Sequence, residues 1–350
     1  MKLKLKLIIL FLSLLVVIYS CDYGNNPKDY GEIIYKIHVF DLTDSSQYEI
    51  INGSNPIILP QSNKLLFITE ENLSSKVWLY DFETKEKEIV GDNLHPVFFD
   101  DNVVSPDEKH IVFVRNNSLM LLHLDNSEVQ IIDSSSKVID IPVPKFSKDG
   151  KYIAYLSKTK SKKDSSNINS VNLNLYNLQL DKHIIADTIL NKYNGRIEAR
   201  FTNDSQKLYF TRSSTDQIEF TFYTLNNFPK LFRKKTIYTF DYGSKYWSIY
   251  NNKILILANE DMKIYDIDNN ELSYPIKIKA PLTIFETRLV KNLDYLIGKD
   301  EKQNIYVINL KGEVKYKVKP NIEGQIYWLD YYSKYNYLLY ATSRWKPTQN

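Results

Sequence analysis

The sequence is built from one repeated unit, in which an apolar run, a polar loop, a second apolar run and a charged segment follow one another. The first apolar runs of successive units are centred 40 to 55 residues apart. The seven centres are Phe67, Phe113, Tyr155, Phe210, Leu257, Ile297 and Tyr340. This spacing is typical of four-stranded antiparallel units arranged around an axis, so the repeat predicts a β-propeller.

The change of polarity within each unit supports the same architecture. Both apolar runs read as strands that are covered on their two faces, whereas segments such as 85–90 and 313–318 are rich in Lys and Glu. Charged side chains on the outermost strand of a blade discourage pairing with another chain. The 27 Tyr and 16 Phe residues also favour strands over helices.

The two ends of the chain look like the halves of one unit. Tyr35–Ile50 resembles an outer half without an inner half, and Gln325–Ser343 resembles an inner half without an outer half. We therefore expect an all-β fold: a seven-bladed β-propeller of four-stranded blades. Its ring would be closed by pairing the N-terminal outer strands with the C-terminal inner hairpin. The alternative is a six-bladed ring with two unrelated terminal hairpins.

The first twenty residues have the pattern of an export signal. Lys2, Lys4 and Lys6 precede an apolar stretch, Leu7–Ile18, that is interrupted only by Ser13. As a helix, this stretch would be about 18 Å long at about 1.5 Å per residue. A bilayer core is about 30 Å thick, so the stretch indicates a cleaved signal at 1–20 rather than a membrane span.

The segment Ile18-Tyr-Ser-Cys21 resembles the bacterial lipobox. The resemblance implies that Cys21, the chain's only cysteine, carries a lipid and becomes the mature N-terminus. We expect a linker at 21–32, one propeller domain at 33–345, a tail at 346–350, and a bacterial membrane lipoprotein facing the periplasm or the cell exterior. The alternative is a plain secreted protein, and the choice between inner and outer membrane stays open.

The charge of the mature chain is balanced. The full sequence has 45 Lys and Arg against 42 Asp and Glu, and three of the lysines belong to the signal. The remaining balance gives no general electrostatic attraction to nucleic acid, so we expect no nucleic-acid partner.

One unit carries a family motif. Pro144-Lys-Phe-Ser-Lys-Asp-Gly-Lys-Tyr-Ile-Ala-Tyr is similar to the repeat of TolB-type propellers, Pro-x-Trp-Ser-Pro-Asp-Gly-Lys-x-Ile-Ala-Phe. Segments that begin at Val104 and Phe201 are weaker copies. The Asp-Gly pair suits a tight hairpin turn, so we interpret Asp107, Asp149 and Asp204 as turn residues rather than as a catalytic series.

Catalytic and metal-binding motifs are missing from the sequence. It contains no Gly-x-Ser-x-Gly, no P-loop and no Gly-x-Gly-x-x-Gly. Its five histidines are His38, His95, His110, His123 and His183. Of these, we expect only His95 to approach the axis, so we predict no histidine metal centre and no cofactor.

Ligands of propellers usually contact the loops that lead into the innermost strands. The positions predicted there are His95, Lys145, Glu198, Arg200, Tyr246, Trp247, Glu286, Arg288, Tyr327 and Trp328. Mixed charges and aromatic rings suit a glycan, a peptide or a protein loop. We therefore expect a non-enzymatic binding or scaffold lipoprotein. The alternative is a carbohydrate- or peptide-processing enzyme that uses Glu198 and Glu286 with Arg200 and Arg288.

Overall fold

The computed structural model describes most of the chain from residue 31 to residue 347. The residues outside this description are 1–30, 72–73, 95–100, 136, 140–143, 160–168, 192–196, 203, 214–216, 226–227, 229–230, 240–243, 251–252, 259–260, 267–268, 270, 283–287, 290–294, 333 and 348–350. The predicted signal, Cys21, His95 and Glu286 therefore lie outside the described residues. No helix in the described part is long and apolar enough to cross a membrane.

The described residues form 28 β-strands and one 3-10 turn, Asp101–Val103. The strands of the first half are β1 (Gly31–Asp41), β2 (Gln47–Asn52), β3 (Ser54–Leu59), β4 (Lys64–Glu71), β5 (Ser74–Asp81), β6 (Lys87–Asp92), β7 (His110–Arg115), β8 (Ser118–His123), β9 (Val129–Asp133), β10 (Lys145–Phe146), β11 (Tyr152–Lys158), β12 (Asn169–Asn177) and β13 (Lys182–Asn191). Those of the second half are β14 (Ile197–Phe201), β15 (Lys207–Ser213), β16 (Gln217–Thr224), β17 (Phe232–Thr239), β18 (Ser244–Tyr250), β19 (Lys253–Ala258), β20 (Asp261–Asp266), β21 (Glu271–Leu272), β22 (Ile276–Lys277), β23 (Arg288–Leu289), β24 (Tyr295–Lys299), β25 (Ile305–Asn309), β26 (Val314–Val318), β27 (Gln325–Tyr332) and β28 (Tyr337–Pro347). The predicted all-β class is confirmed.

These strands pair into antiparallel sheets, which we number along the chain. Sheet I is β3 to β6, sheet II is β7 to β9, sheet III is β10 to β13, sheet IV is β14 to β17, sheet V is β18 to β22 and sheet VI is β23 to β26. Sheet VII combines the two ends of the chain in the order β27-β28-β1-β2. Within it, β1 pairs with β28 from Gly31 opposite Pro347 to Asp41 opposite Tyr337.

The centres of the sequence repeat occupy the same place in every sheet. Each of the seven lies on the second strand of its sheet: β4, β7, β11, β15, β19, β24 and β28. In sheet II we count β7 as the second strand, because a single bridge at Val104 takes the place of the first. The centres are buried wherever their side chains are described, and Phe67, Ile297 and Tyr340 are fully inaccessible. The centre of each repeat therefore marks the strand of the sheet that is covered on both faces.

Two sheets depart from four regular strands. In sheet II the first strand is reduced to one bridge, Val104 opposite Ile111, because the chain arrives from a 3-10 turn and leaves at once through Ser105 and Pro106. In sheet V the outer strand is split into β21 and β22. Pro275 lies between them and has no backbone N–H to donate to β20.

Hydrophobic clusters join neighbouring sheets face to face. One cluster contains Leu66 of sheet I, Ile111 of sheet II and Phe146 of sheet III. Further clusters join sheet III to sheet IV, sheet V to sheet VI, sheet VI to sheet VII and sheet VII to sheet I. The described contacts thus connect the sheets in the order V, VI, VII, I, II, III, IV.

The turn between the first and second strands has one recurring hydrogen-bond pattern. In sheet III the Ser147 hydroxyl donates to Asp149 Oδ1 (2.6 Å), which also accepts the Lys151 N–H (3.1 Å). The Tyr152 N–H donates to Ser147 Oγ (2.9 Å). The same bonds recur at Ser105–Asp107 and Thr202–Asp204. These contacts explain the three aspartates as turn residues. We call the end that carries these turns the lower end, and the opposite end the upper end.

Candidate functional site

Most of the predicted binding residues lie on the first strands of five sheets. They are Lys145 on β10, Glu198 and Arg200 on β14, Tyr246 and Trp247 on β18, Arg288 on β23, and Tyr327 and Trp328 on β27. First strands of neighbouring sheets contact one another: β10 contacts β14, and β18 contacts β23. The topology therefore places these positions in one layer, which is formed by the first strands of the sheets.

Two cations occupy equivalent positions in adjacent sheets. Lys145 and Arg200 each precede a phenylalanine, Phe146 or Phe201, that leads into the lower turn. Lys145 is only 3% exposed and Arg200 is half-buried, and both interact with neighbouring groups. A buried ammonium or guanidinium is stable only when it is paired or hydrogen-bonded. The sequence marked both residues, but their burial follows from the packing of sheet III on sheet IV.

Tyr327 and Trp328 are neighbours with different environments. The pairing of β27 with β28 shifts between Ile326 and Trp328, so Tyr327 is the bulged residue at the upper end. Its ring is 38% exposed and meets Tyr35 edge-on, with centroids 5.5 Å apart. Trp328 instead packs against the cluster between sheets VII and I. Tyr327 is therefore available to a ligand, whereas Trp328 contributes mainly to packing.

Burial raises the pKa of Tyr327, although a hydrogen bond with the Asn55 backbone acts in the opposite direction. The phenol is therefore neutral at physiological pH and can both donate and accept a hydrogen bond. Because Asn55 belongs to β3, the Tyr327 ring spans the junction between sheet VII and sheet I at the upper end.

A hydrogen-bond network that the sequence did not reveal supports the start of β27. The Gln303 side-chain carbonyl accepts the Ile326 N–H (2.9 Å) and the Lys299 ammonium (3.0 Å). Lys299 is 3% exposed. The network connects the upper turn of sheet VI to the strand that carries Tyr327. No sequence signal identified it, because two complete strands, β25 and β26, separate Gln303 from Ile326.

The described histidines lie away from the upper end or inside the sheets. His110 and His123 meet edge-on near a lower turn, with ring centroids 4.7 Å apart. His38 is buried within sheet VII, and His183 lies on the outer strand of sheet III. Among the described residues, no group of three or more His, Cys, Asp or Glu side chains could hold a metal ion.

The sequence also missed an exposed apolar pair at the upper end. Ile33 and Trp345 lie opposite each other in the pairing of β1 with β28, and their exposed fractions are 51% and 52%. Tyr35 follows Ile33 on the same face of the strand, because side chains alternate along β1. The alternation of apolar and polar residues along β1 is a sequence signal for this face. The predicted propeller domain ends at Trp345, and the predicted inner half ends before it, at Ser343.

No family model matches the chain, and no curated protein matches it. Solved structures match at low identity. The tricorn protease is 13% identical with a TM-score of 0.51, and the match covers 79% of this chain and 32% of that one. An oligogalacturonate lyase from Vibrio parahaemolyticus is 12% identical with a TM-score of 0.60, covering 89% of this chain and 98% of the lyase.

An oligogalacturonate lyase in complex with manganese is similarly related. It is 13% identical with a TM-score of 0.61, and the match covers 91% of this chain and 98% of the lyase. The chain thus spans about a third of the tricorn protease and nearly the whole length of the lyases. Likeness at this identity concerns the fold, and the chain has a β-propeller-type fold.

Proposed function

We propose that the chain is a seven-bladed, membrane-anchored propeller that binds a glycan or peptide at its upper end without chemically changing it. In this proposal the seven sheets are the blades, their first strands surround a central axis, and sheet VII closes the ring by combining the two chain ends. The order of the hydrophobic clusters supports the ring, because in the described part of the chain they join every neighbouring pair of sheets except IV and V. The TolB-type motif at 144–155 supports the same architecture.

The observation that carries the binding proposal is the environment of Tyr327. It is an exposed, neutral phenol at a β-bulge, and it spans the junction of two sheets at the upper end. An aromatic ring with a polar tip offers a large contact area and one directional hydrogen bond, which suits a sugar ring or a peptide. Lys145 and Arg200 lie on first strands of other sheets, but next to the lower turns, so they are not part of this upper-end site.

A binding experiment with matched tyrosine variants tests this proposal. The mature chain carrying Cys21→Ser is screened against glycan and peptide arrays and against envelope extracts. Tyr327→Ala should weaken binding of the ligand by about tenfold or more, because an aromatic ring at the centre of a site contributes about 2 kcal/mol. Tyr274, which is 93% exposed in sheet V, provides the control Tyr274→Ala. Equal binding by the two variants would exclude Tyr327 from the site.

The lipid anchor is a separate part of the proposal. It rests on the lipobox-like segment that ends at Cys21 and on the positive and apolar stretch before it. Two or three acyl chains would hold the protein on a membrane, because each buried methylene contributes about 0.8 kcal/mol.

A second candidate function is a lyase that acts on an acidic oligosaccharide. The full-length match to oligogalacturonate lyases and the equivalent cations Lys145 and Arg200 favour it. The donor groups of the described residues do not fit a manganese site, so no step of this candidate is assigned to a metal. Incubation with oligogalacturonate, with and without manganese, should give an unsaturated product if this candidate is correct. Turnover that is lost in Glu198→Gln and kept in Glu128→Gln would place it above the binding proposal.

A further inference from the structure

Strands β1 and β28 are longer than the sheet that contains them. In sheet VII, β2 pairs with β1 only as far as Lys36, and β27 pairs with β28 only as far as Ser343. The pairing of β1 with β28 continues beyond both of these limits, to Gly31 opposite Pro347. Residues 31–34 and 344–347 therefore form a two-stranded projection at the upper end, which we call the terminal ribbon.

The terminal ribbon has one apolar face, while the opposite face carries the charged side chains of Glu32, Arg344 and Lys346 and one aliphatic side chain, Ile34. Ile33 and Trp345 lie directly opposite each other on the apolar face, and about half of each side chain is exposed. Further down the strands this face becomes the core between sheets VII and I, where Ile37 and Ala341 are buried. The apolar surface is thus a continuation of the core into solvent.

The charges of the opposite face are paired. Arg344 forms an ion pair with Glu323, and the Lys346 ammonium lies 3.9 Å from a Glu32 carboxylate oxygen. The ribbon is therefore amphipathic and locally neutral. A surface of this kind is compatible with the headgroup region of a bilayer, because its charges stay hydrated while Trp and Ile contact the acyl boundary.

The position of the ribbon in the chain indicates that the surface it contacts is a membrane. Only ten residue steps separate Cys21 from Gly31, and a fully extended chain spans at most about 36 Å over that length. A lipid on Cys21 would thus keep the ribbon close to the membrane. A short tether of this kind raises the effective concentration of the ribbon at the membrane surface. A branched aliphatic side chain beside the tryptophan also suits lipid better than a sugar ring.

We propose that the terminal ribbon inserts Ile33 and Trp345 into the interfacial region of the membrane that holds Cys21. This inference rests on the lipid anchor proposed above. The ribbon and the segment that leads into β27 lie at the same end of sheet VII. Insertion therefore turns the upper end, with Tyr327, towards the membrane, and the ligand of that end is a molecule at or in the membrane surface.

Fluorescence quenching in vesicles tests the insertion. The lipidated protein is reconstituted into vesicles of three parts phosphatidylethanolamine to one part phosphatidylglycerol, with or without bromine on the acyl chains. Brominated lipid should quench part of the tryptophan emission, and Trp345→Phe should remove that quenched part while Trp78, Trp247 and Trp328 remain. Unchanged emission in brominated vesicles would overturn the proposal.

Binding without the lipid provides the second measurement. The mature Cys21→Ser chain should bind the same vesicles only weakly and reversibly, at high lipid concentration, and Ile33→Ser combined with Trp345→Ser should weaken this partitioning on the order of tenfold. The control is Ile131→Ser, since Ile131 is 57% exposed on the outer strand of sheet II. Equal loss in the control, or binding of Trp345 to a glycan in place of vesicles, would contradict the ribbon's role.

The two proposals fail in different ways. If the Cys21→Ser chain stays on the membrane in cells, the lipid anchor is wrong, and the ribbon inference loses the tether on which it rests. If the Cys21→Ser chain is released and Trp345 of the lipidated protein is not quenched, the anchor stands and the ribbon inference is wrong.

Discussion

The ring of His38 stacks on the ring of Tyr340, with centroids 5.0 Å apart and planes 15° from parallel. The two residues face each other in the pairing of β1 with β28, which joins the two ends of the chain. His38 Nε2 also lies 3.1 Å from the Thr342 hydroxyl oxygen. The imidazole is 6% exposed, so the contact between the chain ends contains a buried titratable group.

This contact predicts sensitivity to mild acid. Burial lowers the pKa of His38; Glu49 opposes the shift and Lys36 adds to it. The unfolded chain therefore binds the proton more readily than the folded one. The stability that His38 contributes is complete above its unfolded pKa of about 6.5 and is lost as the pH falls below that value. The melting temperature should decrease between pH 7.5 and pH 5.5.

A variant isolates the contribution of His38. His38→Phe keeps a ring against Tyr340 and removes the titration, so the difference in melting temperature between pH 7.5 and pH 5.5 should become smaller. His110 also has a pKa lowered by burial, so part of the difference should remain. A variant His38→Phe with the full acid sensitivity would contradict this assignment.

Tyr155 and Asp133 should couple sheets II and III. The Tyr155 hydroxyl donates to Asp133 Oδ2 at 2.8 Å, and the tyrosine is 2% exposed. Tyr155→Phe should lower the free energy of unfolding by about 1 to 3 kcal/mol, because a half-buried carboxylate loses a donor. Chemical denaturation of Tyr155→Phe, Asp133→Asn and the double variant measures the coupling.

A second tyrosine serves as the control for this cycle. The buried Tyr340 hydroxyl has no hydrogen-bond partner among the described residues. Tyr340→Phe should therefore change the free energy of unfolding by less than about 0.5 kcal/mol. Additive effects of Tyr155→Phe and Asp133→Asn would show that the bond does not hold the two sheets together.

Gly150 and Gly312 should respond differently to alanine. Both have positive φ, 72° and 81°, so both share the strain of a side chain in that region. A Cβ at Gly150 meets only the Pro106 ring in ordinary contact, whereas a Cβ at Gly312 collides with the Lys277 backbone oxygen of sheet V. Urea denaturation should show a loss of about 1 kcal/mol for Gly150→Ala and about 2 to 4 kcal/mol for Gly312→Ala. Equal losses would contradict the packing of sheet V on sheet VI.

Cys21→Ser should move the protein from the membrane fraction to the soluble fraction, because no other cysteine can carry the lipid. Fractionation followed by immunoblotting measures the distribution. Ser20→Thr keeps Cys21 and serves as a processing control. Retention of the Cys21→Ser protein on the membrane would mean that lipidation is not the anchor.

The strand pattern could be predicted because it depends on local composition. Phe67, Phe113 and Tyr155 marked the second strands correctly, since a strand covered on both faces must be apolar along its length. The bridge at Val104 and the split around Pro275 depend on how single residues pair with a neighbouring strand. The sequence does not encode that pairing as a periodic pattern.

The site could be predicted only as a set of first-strand positions. The sequence placed Tyr327 and Trp328 together, but the bulge at Tyr327 separates an exposed ring from a packed one. The exposure of Ile33 and Trp345 depends on where β2 and β27 end, which is a property of the neighbouring strands. Burial of Lys145 likewise depends on the adjacent sheet.

Truncation at Glu323 tests most directly whether the two chain ends form one closing sheet. The shortened chain lacks β27 and β28 and leaves β1 paired only with β2, so its cooperative thermal transition should be lost. A chain that lacks only residues 348–350 is the control and should melt like the full-length protein. A chain truncated at Glu323 that kept the thermal stability of the full-length protein would contradict a ring closed by sheet VII.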